Sequence, residues 1–334
     1  MFKKTKYCKK YKKYCFMINK LSFVSIIIPC RNEEKFIVKC LESLINQTYP
    51  KDRMEVLVVD GMSEDKTKEI VKEYSKRYPF IKFLENPNKF TSFALNIGIK
   101  KAKGEIIVRM DAHAGYEKDY ISKCVRYLKE YNADNIGGTM KTLARENTVV
   151  AKAIALCLSH PFGVGGSQFR IGANKPKWVD TVFNGCYKKE VFDKIGLFNE
   201  NLIRSQDMEF NLRLKKAGGR ILLHPEIVSY YYPKSNLKDF FLHNIQDGTW
   251  AILPLKFVRI PLKLRHYIPL IFVLTLPLSV WPYILLSLFF SLKIAIKEKN
   301  FRLFFIMPLA FGTRHIGYGF GSVVGLIKLF LPVK

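Results

Sequence analysis

VSIIIPCRNEEKFIVKCLESLINQ, residues 24–47, changes its periodicity partway along. VSIII (24–28) is a short, β-branched apolar run, the signature of a strand buried on both faces. EKFIVKCLESLINQ (34–47) then spaces Phe36, Val38, Leu41, Leu44 and Ile45 as a helix spaces one face. Working outward, VLVVD (56–60) is a second buried strand ending in a carboxylate. SEDKTKEIVKEYSKRY (63–78) is a helix with Ser63 as its expected N-cap. IKFLE (81–85) is a third strand, TSFALNIGIKKAKG (91–104) a helix closed by its glycine, and EIIVRMD (105–111) a fourth strand ending in a carboxylate. Strand and helix alternate four times with short connections, which predicts a parallel α/β sheet covered on both faces. Such sheets bind ligands beyond the carboxyl ends of their strands. Pro29, Asp60 and Asp111 all fall there. No GxGxxG follows the first strand, so a dinucleotide fingerprint is absent.

The flanks differ in kind. The chain of 334 residues carries 55 Lys and Arg against 28 Asp and Glu, a net charge of +27 that favours anionic partners. Residues 1–20 hold eight lysines and no acid; residues 251–334 hold Glu298 against eleven Lys or Arg, set around apolar runs. Basic flanks beside apolar runs point to a membrane surface. No zinc-finger or RNP-type signature appears, so nucleic acid is not an expected partner. Tyr267 to Leu292 is free of charge and long enough to span or enter a bilayer, with Pro277 and Pro282 available to kink it or fold it back. A second apolar stretch, 303–327, is interrupted by Arg314 and His315. Seven cysteines without a CxxC pair predict free thiols in a reducing cytosol. No apolar h-region precedes Leu21, so no secretory signal peptide is expected. FGVGGSQFRIGANK (162–175), with three glycines in four positions, predicts a flexible loop.

RMDAHAG (109–115) sets a carboxylate, Asp111, and an imidazole, His113, two residues apart at a strand end. Both can hold a divalent ion, and Mn²⁺ accepts this mixed pair more readily than Mg²⁺. Equally, Asp111 could cap a turn and His113 be an exposed polar residue.

Taken jointly, VSIIIPCRNEE, VLVVDGMSEDKT and NPNKFTSFALNIGIKKAKGEIIVRMDAHA resemble the family 2 glycosyltransferases, in particular the subgroup typified by the succinoglycan-biosynthesis glucosyltransferase. The resemblance runs from about Val24 to Trp250. It implies a GT-A fold (a Rossmann-like nucleotide-diphospho-sugar transferase domain) followed by C-terminal hydrophobic or transmembrane helices. The expected division is a basic arm at 1–20, the GT-A domain at 21–250 and a membrane-associated helical region at 251–334. Pro29, Arg31, Glu33 and Asp60 would hold the base and ribose of a UDP- or GDP-sugar. Asp111 and His113 would hold Mn²⁺ or Mg²⁺; most of the family has DxD where this chain has DAH, a departure that the subgroup shares. In SQDMEF the family usually shows an acid followed by the general-base aspartate. This chain keeps only the second, Asp207, beside Gln206. Arg170 could meet a phosphate, of the donor or of a lipid-linked acceptor, while Trp178, Asp180 and Trp250 are further candidates for the acceptor side. The implied activity is inverting sugar transfer to a polyprenyl-linked saccharide at the cell membrane, with the catalytic domain facing the cytoplasm. Transfer to polyprenyl phosphate itself, which needs no general base, and a non-catalytic membrane-associated binding protein are the alternatives.

Overall fold

A computed structural model describes residues 21–331, and the basic arm 1–20 lies outside the described residues. β1 (Val24–Cys30), α1 (Ile37–Ile45), β2 (Met54–Asp60), α2 (Thr67–Arg77), β3 (Ile81–Glu85), α3 (Thr91–Lys101) and β4 (Ile106–Arg109) alternate as the apolar runs require. There follow β5 (Gly115–Tyr116), α4 (Tyr120–Glu130), β6 (Asn135–Thr142), α5 (Val149–Ser159), α6 (Pro161–Val164), α7 (Gln168–Ile171), β7 (Lys177–Trp178), β8 (Phe183–Lys188), α8 (Glu190–Ile195), α9 (Gln206–Lys216) and β9 (Ile221–Tyr231). The C-terminal part is helical: α10 (Leu237–Ile252), α11 (Ile268–Leu274), α12 (Leu276–Lys297) and α13 (Arg302–Leu329).

The strands form one sheet in the order β3-β2-β1-β4-β8-β6-β9-β5, with β7 also on β9. β1 to β4 are parallel, as expected. β8 runs antiparallel between β4 and β6, so the whole sheet is mixed. Successive residues of one strand enter different cores: Ile26, Ile28 and Val58 one face, Ile27, Leu57 and Val59 the other. That two-sided burial is why these strands read as unbroken apolar runs.

Three local expectations fail. Ser63 does not cap α2, which begins at Thr67; its hydroxyl is spent on Asp60. Gly104 does not close α3, which ends at Lys101. It is glycine because the chain passes against β1, where a Cβ would sit 2.5 Å from the Ser25 nitrogen. Segment 162–175 is not an open loop. It contributes α6 and α7, and the Phe162 ring packs 4.9 Å from both Phe290 and Phe311.

The uncharged run 267–292 is broken at Thr275 into α11 and α12, with Pro277 in the first turn of α12, where its missing N–H costs nothing. Among the described residues α12 is the one helix long and apolar enough to cross a membrane; only 22% of its span is buried. α13 instead packs along α10. Gly317, Gly321 and Gly325 recur every fourth residue and bring the two backbones together. A Cβ on Gly321 would lie 2.1 Å from the Ile245 carbonyl oxygen. Gly321→Ala is therefore expected to cost about 1–3 kcal/mol through overpacking. The check is a lower thermal unfolding midpoint, and an unchanged midpoint would mean that the helices do not meet this closely. The boundary expected at 250 falls inside α10. α5 shares a core with α12 and α13 through Ala153, Cys157, Ile294, Met307 and Phe311.

Candidate active site

The parallel strands deliver their carboxyl ends in register, Cys30 beside Asp60 and Ile27 beside Arg109. Asp60 is fully buried. Its oxygens accept the Ser63 hydroxyl at 2.5 Å and the Ser63 N–H at 3.0 Å. Ser63 Oγ in turn accepts the Asn32 N–H at 2.9 Å, and Asn32 Oδ1 accepts the Glu64 N–H at 2.9 Å. The Asp-Gly turn and the loop after β1 are thus one hydrogen-bonded unit, with Asp60 behind its surface. Pro29 is half-buried at the end of β1. Arg31 is exposed and 3.8 Å from Glu64, a surface pair of little energetic weight.

Asp111 follows β4. Its backbone N–H donates to the Tyr116 hydroxyl at 2.7 Å, and Asn184 Nδ2 donates to the same hydroxyl at 2.6 Å. Asp111 Oδ1 accepts both Arg109 Nε (3.2 Å) and Nη2 (3.1 Å). Burial alone would lower the pKa of Arg109, but Asp111 and then Asp207 more than offset it and raise the value. One guanidinium therefore lies in the field of both carboxylates that the sequence marks for chemistry. Sequence reasoning does not single out Arg109 as a functional residue. The available signal is a charge closing the otherwise apolar strand IIVR. Asp207 sits in the first turn of α9, where its Oδ1 accepts the Met208 N–H at 2.9 Å and the helix dipole favours its charge.

The His113 side chain keeps 42% of its surface exposed, and its Nδ1 lies 3.1 Å from Glu33 Oε1, a contact that raises the imidazole pKa against partial desolvation by the surrounding loops. Glu33 thereby joins the loop after β1 to the loop after β4. Among the described residues no group of three or more His, Cys, Asp or Glu could close around a metal ion. The donor set does suit a cation shared with a diphosphate, which needs only one or two protein ligands. Asp111 spends one oxygen on Arg109. A proton on His113 Nδ1, facing Glu33, would leave Nε2 free to act as a ligand, the usual carboxylate–histidine arrangement.

The acceptor-side candidates do not converge. Trp178 pairs with Leu222 at the start of β9, whereas β5, which follows the Asp111 loop, pairs at Ser229 and Tyr230 near its end. The Trp178 ring is covered by Arg220 at 4.0 Å. Asp180 is bound by Arg265 Nη2 at 2.5 Å; burial would raise its pKa, and Arg265 more than offsets that and holds it low. Trp250 is half-buried on α10. Arg170, on α7, lies over the Tyr231 ring at 5.5 Å and keeps a buried Nη1 without a hydrogen-bond partner among the described residues. An open cleft of ≈ 490 Å³, lined in part by Thr139, Lys141, Ile171, Asn174 and Val228, contains none of the expected site residues.

Comparison with known proteins agrees with the fold. The family model described as glycosyl transferase family 2 matches residues 25–196. The chain is 32% identical over 323 residues to the dolichyl N-acetyl-alpha-D-glucosaminyl phosphate 3-beta-D-2,3-diacetamido-2,3-dideoxy-beta-D-glucuronosyltransferase of Methanococcus voltae, covering 92% of this chain and 98% of that protein. It is 30% identical over 247 residues to the succinoglycan biosynthesis protein ExoA of Rhizobium meliloti, covering 69% of this chain and 74% of that one. Among solved structures it resembles the mannosyltransferase PcManGT from Pyrobaculum calidifontis, determined with GDP-Man and Mn²⁺, with a TM-score of 0.62 at 20% identity over 89% of this chain and 87% of that chain. The likeness in fold is of the GT-A kind.

Proposed function

Because the chain belongs to glycosyl transferase family 2, we propose that it is an inverting transferase moving a sugar from a UDP- or GDP-sugar to a hydroxyl of a polyprenyl-linked saccharide. The observation that carries this reading is the pairing of Arg109 with Asp111 in the field of Asp207, at the carboxyl end of the parallel strands. In this reading Pro29, Arg31 and Glu33 line the base and ribose, and Asp60 shapes that loop from behind through Ser63. Asp111 and His113 would hold a divalent cation together with the donor diphosphate; such a cation supplies neutralisation of the leaving group's charge. Asp207 takes the proton from the acceptor hydroxyl as that oxygen attacks the anomeric carbon from the side opposite the diphosphate, inverting the centre.

The lipid-linked acceptor is supported by the Methanococcus voltae relative, whose name states a dolichyl-phosphate-linked sugar as its substrate. It is supported also by α12, whose apolar side chains Leu278, Trp281 and Leu285 are exposed. We assign residues 21–250 chiefly to catalysis and 251–334 chiefly to membrane association, with α10 crossing the boundary. The Lys and Arg flanks support a catalytic part on the cytoplasmic side.

Calorimetric titration of the detergent-solubilised chain with UDP-glucose, UDP-GlcNAc and GDP-mannose, with and without Mn²⁺, tests the donor site. One donor is expected to bind in a Mn²⁺-dependent manner, and Asp111→Ala is expected to weaken it by about tenfold or more through loss of a carboxylate ligand. Tight binding indifferent to both Mn²⁺ and Asp111 would remove the metal role from this stretch.

A further inference from the structure

A second charged centre lies where α10 and α13 meet the segment just before α9. Asp247, on α10, receives two guanidiniums from separate parts of the chain and an imidazole from one turn earlier on its own helix. Arg204 Nη1 is 3.4 Å and His243 Nε2 3.6 Å from its Oδ1; Arg314 Nη1 is 3.3 Å from its Oδ2. Arg314 Nη1 also donates to Asn244 Oδ1. Arg170, on α7, lies over the Tyr231 ring and within electrostatic reach of the same group, since Arg314 and Asp247 both act on its charge. Burial lowers its pKa, Tyr231 and Asp247 oppose that, and Arg314 adds to it. Two guanidiniums and an imidazole thus share one carboxylate, a third guanidinium lies in its field, and among the described residues Nη1 of Arg170 is a buried donor with no acceptor. An unmet buried donor is costly, and like charges at this spacing repel unless an anion joins them. Guanidiniums converging from several elements suit phosphate oxygens, each of which can accept more than one N–H.

Position narrows the ligand. Arg204 lies three residues before Asp207. Arg314 belongs to α13, which also packs against α11, where a Cβ on Gly319 would lie 2.3 Å from the Pro269 carbonyl oxygen. The cluster therefore connects the segment that leads into the proposed base with the helices packed on the apolar run, a position suited to the phosphate joining a lipid to its saccharide. We propose that Arg170, Arg204, Arg314 and His243 form a binding site for the phosphate group of a polyprenyl-phosphate-linked acceptor, with Asp247 holding the cluster together while the site is empty. This rests on the lipid-linked acceptor proposed above. It also accounts for the charge that interrupts the apolar stretch 303–327.

The test is equilibrium binding of farnesyl phosphate to the full chain in detergent, with inorganic phosphate as competitor and UDP and GDP titrated separately. Arg170→Gln and Arg314→Gln are expected to weaken farnesyl phosphate binding by roughly tenfold or more through loss of a charge-assisted contact, with UDP or GDP affinity unchanged. Asp247→Asn is expected to tighten it, because the internal counterion is gone; a purely structural cluster would not give that sign. Circular dichroism checks that each variant is folded. Nη1 of Arg170 has no hydrogen-bond partner among the described residues, so Arg170→Gln breaks no bond at that atom and tests the site even if Arg314→Gln unfolds. Unchanged farnesyl phosphate affinity in a folded Arg170→Gln overturns the proposal. So does a loss confined to UDP or GDP, which would give the cluster to the donor diphosphate. Displacement by inorganic phosphate at equal affinity would make the ligand free phosphate rather than a lipid headgroup. If the wild type binds neither UDP nor GDP, the donor reading fails, while the farnesyl phosphate result still decides this one.

Discussion

Asp207→Asn is expected to lower kcat by about 10²–10⁴-fold, the usual contribution of a positioned general base, with the KM for the nucleotide-sugar unchanged. The carboxylate is held by the first turn of α9, one oxygen fixed by the Met208 N–H. Asn keeps the size and the hydrogen bond but cannot take a proton from a hydroxyl. The same variant separates two kinds of acceptor. Attack by a saccharide hydroxyl must release a proton; attack by a polyprenyl phosphate oxygen need not. Single-turnover rates with saturating donor isolate the chemical step from binding. A loss below tenfold would reject Asp207 as the base and turn attention to a phosphate nucleophile.

The sheet is legible in the sequence because parallel strands buried on both faces leave apolar runs such as VSIII and VLVVD, each bounded by polar turn residues. Asp60 and Asp111 can be singled out because a carboxylate closing an apolar strand is conspicuous; Asp207, in SQDMEF, is marked only by the resemblance to the family. What surrounds them cannot. Ser63 looks like an N-cap in isolation, and only the partner loop reveals its bond to Asp60 and its acceptance of the Asn32 N–H. Segment 162–175 has a loop's composition, yet it folds into short helices because Phe162 is packed by rings from α12 and α13, far along the chain. Arg314 looks like an interruption of an apolar stretch; its partners Asn244 and Asp247 lie on another helix. Local pattern carries burial periodicity, but long-range polar pairing leaves no period to read.

Arg109→Met is expected to destabilise the fold by about 3–5 kcal/mol, the scale for removing one partner of a buried ion pair. Arg109 and Asp111 are each only 14% exposed at the side chain, so water screens the pair weakly. Methionine fills similar space without charge, which confines the loss mainly to electrostatics. Asp111 would lose two donors and Asp207 a neighbouring countercharge. The cost should appear as a lower denaturant midpoint, with an unchanged slope if the native surface is intact. Adding Asp111→Asn to Arg109→Met should recover part of it, since the uncompensated carboxylate is then gone; strict additivity of the two changes would show that the pair does not interact. Donor binding supplies an independent readout. If Arg109 holds Asp111 in place for the cation, Arg109→Met weakens Mn²⁺-dependent nucleotide-sugar binding at temperatures where the variant is still folded. A stability loss with donor affinity intact would make Arg109 a structural counterion alone, and the cation would then depend on Asp111 without a guanidinium to orient it.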